Sequence, residues 1–213
     1  MRHRRTSSWC LVLAMFGALL LTSCALTGCA TTRPLVLSPR IKPLDFVVQQ
    51  PYGPLTLIPF EDKTPEAEKG RKQFRERPID VFNDTLLTAI RASQSFKSVV
   101  RGTDTRTAEF QLSGVVNSLA TDESVFQFGL IPSTMKVSAV CVSTVRLVDV
   151  MTGTVLLEES VTTTGEGSAR VTGGGRYAQY DSTYGYEESI SQAISENVVA
   201  ISRRLHEVLS KRR

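Results

Sequence analysis

Apolar positions along this chain fall into three kinds of pattern, each predicting a different element. Trp9 to Leu21 is one unbroken apolar run of about thirteen residues, shorter than the ~20 that a membrane-crossing helix needs. Thr31 to Pro54 has no periodicity and holds Pro34, Pro39, Pro43, Pro51 and Pro54, so it reads as an extended tether. Leu55 to Phe60 is a short apolar strand ending near Pro59. Residues 61–77 are charged throughout and predict a solvated loop. In Ile79 to Ser93, Phe82, Leu86 and Ile90 recur at helical spacing, and Pro78 suits the first turn, where a missing N–H costs nothing. Phe96 to Val100 is a further short strand, closed by Gly102.

Alternation then takes over. Phe110, Leu112, Gly114 and Val116 alternate with polar or small neighbours, predicting a strand from Glu109 to Leu119. Val137 to Val150 is β-branched on both faces, the expectation for a central strand covered on both sides. Met151-Thr152-Gly153 turns it into Thr154 to Thr163 as a hairpin. Tyr186 to Leu209 returns to helical spacing, with Ile190, Ile194, Val198, Ile201, Leu205 and Val208 on one face; Glu187 and Glu188 at its start and Arg203, Arg204 and Lys211 at its end complement the helix dipole. The expected fold is α/β: a two-layer mixed sheet of about five strands with two helices packed on it. The domain organisation is 1–28 as a leader, 29–54 as the Pro-rich tether and 55–213 as one α/β domain.

The leader is more specific than its hydropathy. Arg2, Arg4 and Arg5 precede the apolar run, as in a bacterial export signal. Leu26-Thr27-Gly28-Cys29 resembles the lipobox of bacterial lipoproteins, where cleavage precedes an acylated cysteine. Leu21-Thr22-Ser23-Cys24 fits the same pattern and lies directly behind the apolar run; Gly28 tips the assignment to Cys29, with Cys24 the alternative. Ala follows either cysteine (Ala25, Ala30), and no Asp stands there to signal inner-membrane retention. The resemblance implies a covalent N-terminal lipid, a partnership with the outer membrane through it, and a place on that membrane's periplasmic face. Three acyl chains anchor stably.

Leu55-Thr56-Leu57-Ile58-Pro59-Phe60-Glu61-Asp62-Lys63-Thr64 resembles the opening strand of CsgG-like lipoproteins, the superfamily of the curli secretion channel. Leu86 to Arg101, with Ala89, Ser93, Phe96 and Val99, resembles the helix that follows there, and Arg146 to Leu156, with Asp149, Thr152 and Gly153, resembles that family's later strand and turn. Asp149, Thr152 and Gly153 also have a plain structural role, since Gly is free to take positive φ and Asp149 can accept turn N–H groups. Channel members carry two membrane-spanning hairpins. Here residues 158–188 hold Glu158, Glu159, Glu166, Arg170, Arg176 and Asp181 with sparse apolar residues between, and Ser124 to Ile131 is too short to pair as a full hairpin. A non-channel member is the better comparison. Phe126, Phe128, Leu130 and Ile131 then form an apolar group that marks either an interaction surface or part of the core.

Composition narrows the chemistry. The formal charge of the 213 residues is +4, but Arg2, Arg4 and Arg5 account for three of those charges. A near-neutral body gives no electrostatic case for a nucleic-acid partner. Only His3 and His206 exist, and Cys141 is the one cysteine beyond Cys29, so no metal-ligand spacing and no Cys–His pair is available. Gly165-Glu166-Gly167 and Gly173-Gly174-Gly175 lack the Lys-Ser/Thr of a phosphate loop. His206, in the last turns of a helix, reads as a surface residue. The sequence therefore predicts no catalytic residue, no metal and no cofactor beyond the lipid. It predicts an assembly or accessory component of secretion or envelope biogenesis, with envelope or secretion proteins as partners and a homo-oligomeric ring as one form. An oligomeric export channel, or a periplasmic ligand carrier or enzyme with a deep polar pocket, are the alternatives.

Overall fold

Six strands form one mixed sheet in the computed structural model, which describes residues 33–69, 73–104, 106–128, 131–172 and 179–212. β1 (Leu55–Leu57) is followed by β2 (Glu61–Asp62), a short helix α1 (Glu66–Lys69), helix α2 (Pro78–Ala92) and β3 (Val99–Arg101). The long strands β4 (Phe110–Phe128), β5 (Ile131–Asp149) and β6 (Val155–Ser168) come next, then β7 (Arg170–Thr172), β8 (Gln179–Asp181) and helix α3 (Ser182–Ser210). Sheet order is β3-β1-β4-β5-β6, with β2 extending the line of β1 along β4; β7 and β8 pair separately. β1 runs parallel to both β3 and β4, whereas β4, β5 and β6 are antiparallel. This is the expected two-layer α/β architecture.

Both helices lie on one face. Phe82, Leu86 and Ile90 of α2 and Ile190, Ile194, Val198, Ile201, Leu205 and Leu209 of α3 meet Leu55, Leu57, Leu112, Val145 and Leu147 in a single core. Each fully buried side chain of this size contributes roughly 1.5–3 kcal/mol through removal from water. Along β5, Val137, Ala139, Cys141, Ser143, Val145 and Leu147 are buried, while Ser138, Val140, Val142, Thr144 and Val148 between them are half-buried and Arg146 is exposed. The expectation of cover on both faces is thus corrected: α2 and α3 cover one face, and the β-branched residues of the other are only half-buried. Asn197 ties α3 to the sheet from within the core. Its Nδ2 donates to the carbonyls of Cys141 at 3.2 Å and Val161 at 3.1 Å, and its Oδ1 accepts from Ser143 Oγ at 2.6 Å.

Local chemistry explains the turns and the close packing. Asp149 Oδ1 accepts the N–H groups of Met151 and Thr152, both at 3.1 Å, and Gly153 sits at φ 68°, which the β5–β6 turn requires. Arg212 at 2.9 Å and the turn N–H groups hold the Asp149 carboxyl below its usual range. Gly165 has a different duty. A Cβ there would lie 2.0 Å from the Ser189 carbonyl oxygen, so its absence lets the backbone of α3 rest directly on β6. That is what the Gly165-Glu166-Gly167 motif is for, and it lies within a strand.

Two stretches differ from expectation. Residues 61–77 are not only a solvated loop: they contain β2 and α1, and Phe74 forms a parallel bridge with Leu35. The hairpin is also far longer than its alternation implied. β4 and β5 have 19 residues each and pair from Phe110↔Asp149 to Phe128↔Ile131, so Ser124 to Phe128 and Ile131 belong to a full hairpin.

Candidate functional site

The Pro-rich stretch becomes a strap. From Arg33 onward it lies along α3, running in the same direction as the helix, and it belongs to the compact unit Arg33–Arg213. Arg33 Nη2 pairs with Glu187 Oε2 at 3.1 Å, and the Val36 N–H donates to the other oxygen of Glu187 at 2.8 Å. The Ser38 N–H donates to Ser191 Oγ at 3.0 Å, Ser195 Oγ donates to the Arg40 carbonyl, and Lys42 pairs with Glu196. Farther along, Asp45 pairs with Arg203 at 3.1 Å and the Phe46 ring stacks on His206 at 4.3 Å. Proline removes N–H donors that would otherwise need partners, so such a segment can follow a helix without belonging to a sheet. Ser191, Ser195 and Ser202 on α3 are small enough to be buried.

His206 is therefore no free surface residue. It is half-buried between Phe46 and Tyr52, with Tyr52 Oη 3.4 Å from its Nδ1. The strap also reaches the loop above the sheet: the Leu35 N–H donates to the Gln73 carbonyl at 2.8 Å, and the Arg75 N–H donates to the Leu35 carbonyl at 2.9 Å.

The strap starts at the end of the domain where the long hairpin leaves it. Arg33 lies over the Tyr184 ring at 4.9 Å, and a Cβ on neighbouring Gly185 would meet Val137 Cγ2 at 2.7 Å. Val137 is fully buried, and β6 stops pairing with β5 one residue nearer the tip, at Lys136↔Ser168. Beyond it, residues 125–128 and 131–135 pair with each other and, among the described residues, with no other strand, as a two-stranded ribbon with a bulge between Val125 and Gln127. Of the expected interaction residues, Phe126 stands at this bulge, and Phe128 and Ile131 are opposite each other. Leu130 lies outside the described residues, as do Cys24 and Cys29.

A cavity of about 190 Å³ opens between the helices and the sheet. Its floor is Phe82, Val116, Cys141, Ile190 and Ile194, all buried. Phe74, Pro78, Ile79 and Leu119 also line it, and Asp62, Thr64, Glu68 and Thr121 are its polar residues. Glu68 is held in place by Ser118 Oγ, which donates to its Oε2 at 2.5 Å. Burial pushes the Cys141 thiol up to about 12, so it stays protonated and is no nucleophile near neutrality. Among the described residues no three His, Cys, Asp or Glu side chains are grouped to hold a metal ion, and no helix is long and apolar enough to cross a membrane.

Sequence reasoning missed the strap contacts and the cavity. The signal for the first was present: small serines at 191, 195 and 202 leave room beside the helix for another backbone. The cavity left no such trace, because a void is a property of packing.

No protein-family model and no curated protein matches the sequence. Among solved structures, a Xanthomonas campestris protein of the DUF330 family is similar over 82% of this chain and 98% of its own, at 12% identity and a TM-score of 0.53. That likeness is one of fold. The PelC dodecamer from Paraburkholderia phytofirmans aligns over 69% of this chain and 83% of its own, at 16% identity and a TM-score of 0.38. A minor lipoprotein from Acinetobacter baumannii aligns over 72% and 92%, at 15% identity and a TM-score of 0.36. These two likenesses carry no further argument, and the CsgG-like resemblance is not confirmed by any of the three.

Proposed function

We propose that this chain is a lipid-anchored protein of the bacterial envelope that works by contact, holding or assembling another envelope component, with no catalytic step of its own. The supporting observation is the Arg33–Glu187 pair, the first strap contact among the described residues. Arg33 is the fourth residue after Cys29, a contour of at most about 14 Å. With a lipid on Cys29, the start of α3 and the β4–β5 ribbon are kept at the membrane side, and the rest of the sheet extends away from it. The periplasmic face of the outer membrane is the location in this reading, and the CsgG-like superfamily, in its non-channel branch, its nearest functional comparison. The ribbon and the uncovered face of the sheet are the surfaces available to a protein partner.

Metabolic labelling with radioactive palmitate in a two-membrane bacterium, followed by membrane fractionation, tests the anchor. Wild type carries label in the outer-membrane fraction, and Cys29→Ala loses the label and leaves that fraction. Label that persists when Cys24 and Cys29 are both replaced overturns the reading.

One observation favours the oligomeric export channel as a second reading. The β4–β5 strands, at 19 residues, exceed the ~9–11 that a barrel strand needs. Detergent-stable rings that conduct ions in planar bilayers would establish it, and a monomer in detergent would dismiss it.

A further inference from the structure

We propose that the outer edge of β6, from Glu158 to Thr164, is where a second copy of this chain pairs antiparallel, across a two-fold axis through Val161, so that two sheets join into one. The inference goes beyond the anchored reading and needs neither the lipid nor the ribbon.

β6 and β3 are the two edges of the main sheet. Contacts from α3 reveal which backbone groups of β6 face outward. Asn197 Nδ2 donates to the carbonyls of both Val161 and Cys141, which flank the facing pair Val142 and Thr162. In an antiparallel ladder two carbonyls border a facing pair in this way only where that pair is not itself hydrogen-bonded. Thr162 therefore points its N–H and C=O away from β5. The β5–β6 register is unbroken from Lys136 to Leu147, so Glu158, Ser160, Thr164, Glu166 and Ser168 do the same. The last two bear this out: their N–H groups donate to side chains of α3, Gln192 Oε1 at 3.1 Å and Glu188 Oε2 at 3.3 Å.

Folded proteins protect such edges. β3 is only three residues long, and its Arg101 pairs with Asp84. α3 caps β6 at Glu166 and Ser168. Between that cap and the register shift beyond Leu157, Glu158, Ser160, Thr162 and Thr164 are exposed, and their backbone groups have no partner among the described residues. The stretch has no proline and no lysine to keep another strand away.

The open stretch is symmetric about Val161 and so complementary to itself. An axis there sets Ser160 opposite Thr162 of the second copy and Glu158 opposite Thr164. Each open residue supplies one N–H and one C=O, so about eight backbone bonds close. An axis through Thr162 would instead set Glu158 against Glu166, and like charges directly opposite are destabilising. An axis through Ser160 would leave Thr164 facing Leu156, at the register shift. Both glutamates of the stretch keep a cation of their own chain, Arg146 at 3.7 Å from Glu158 and Arg204 at 3.1 Å from Glu159, so the edges can meet without uncompensated charge.

The test uses the mature chain carrying Cys29→Ser in sedimentation equilibrium. It is a dimer at about 100 μM and dissociates on dilution, as small interfaces do. Thr162→Pro removes an outward N–H and none from the β5 ladder, so it gives a monomer whose melting temperature stays within a few degrees. Ser160→Lys with Thr162→Lys, which sets like charges opposite each other, does the same without touching the backbone. Chains carrying Ser160→Cys and chains carrying Thr162→Cys, mixed and mildly oxidised, crosslink about tenfold faster than either alone, because directly facing residues best meet the Cα spacing of a disulfide. A monomer at every concentration, including one that takes up an unrelated extended peptide at this edge, overturns the inference. So does a larger closed ring, an undiminished dimer in both folded edge variants, or crosslinking no faster in the mixture. None of these outcomes touches the palmitate result on which the anchored reading depends.

Discussion

The Asn83 side chain holds both backbone groups of Phe60: its Oδ1 accepts the Phe60 N–H at 2.7 Å and its Nδ2 donates to the Phe60 carbonyl at 3.2 Å. Phe60 links β1 to β2, where the chain has left one strand and not yet begun the next, so neither group is in a ladder. α2 supplies what the sheet does not. Asn83→Ala leaves two buried backbone groups without partners and lowers stability by about 2–4 kcal/mol. Asn83→Asp keeps the acceptor, loses the donor and places a charge in the core, so it is no milder. Urea unfolding followed by circular dichroism measures both.

Gly165 sets the distance between α3 and β6. Gly165→Ala forces a methyl group into the Ser189 carbonyl, which backbone cannot yield cheaply, and the expected loss is about 2–3 kcal/mol. Gly153→Ala provides the contrast. Its surroundings are open but its φ is 68°, so only backbone strain of about 1 kcal/mol applies. Thermal melts of the two variants should rank Gly165→Ala well below Gly153→Ala.

Cys141 gives a pH signature. In the unfolded chain its thiol ionises near its ordinary value of 9, and in the folded chain burial raises this to about 12. The unfolded state therefore releases a proton first as pH rises, and the stability that Cys141 contributes is complete below about pH 9 and is lost toward pH 12. Cys141→Ala removes that slope at the cost of a small cavity. At pH 8 the native thiol should resist an aromatic disulfide reagent and react within the mixing time once urea unfolds the chain.

The ribbon is expected to be dispensable for folding. Residues 125–128 and 131–135 pair with each other and, among the described residues, with no other strand, so replacing 124–136 by a two-residue Asn-Gly turn between the paired residues Glu123 and Val137 should leave the melting temperature within a few degrees of wild type. Under the proposed function the shortened protein still fractionates with the membrane but recovers less of its envelope partner in crosslinking. A large fall in melting temperature would place the ribbon in the fold's stability instead.

What the sequence disclosed was what is local. Phe82, Leu86 and Ile90 mark α2 because a helix repeats its buried face every three or four residues. Asp149 and Gly153 mark a turn because their chemistry acts within five positions. Alternation marks β4 only as far as Leu119, because Asp122, Glu123 and Ser124 are exposed and break it, while backbone pairing with β5 carries the strand on to Phe128. The strap was hidden for the converse reason. Its partners, from Glu187 to His206, lie about 150 residues away, and a Pro-rich segment has no period to betray which face it buries.

The parallel course of the strap and α3 also determines how the domain would respond to a pull. A load arriving through an N-terminal anchor reaches the pair at Arg33 and Glu187 first, then Val36, then Ser38, each contact bearing it only after the one before has opened. A load directed away from α3 would peel the strap, its bonds failing in sequence. Under such a load the strap would lengthen step by step, and on release the same contacts could close again in reverse order.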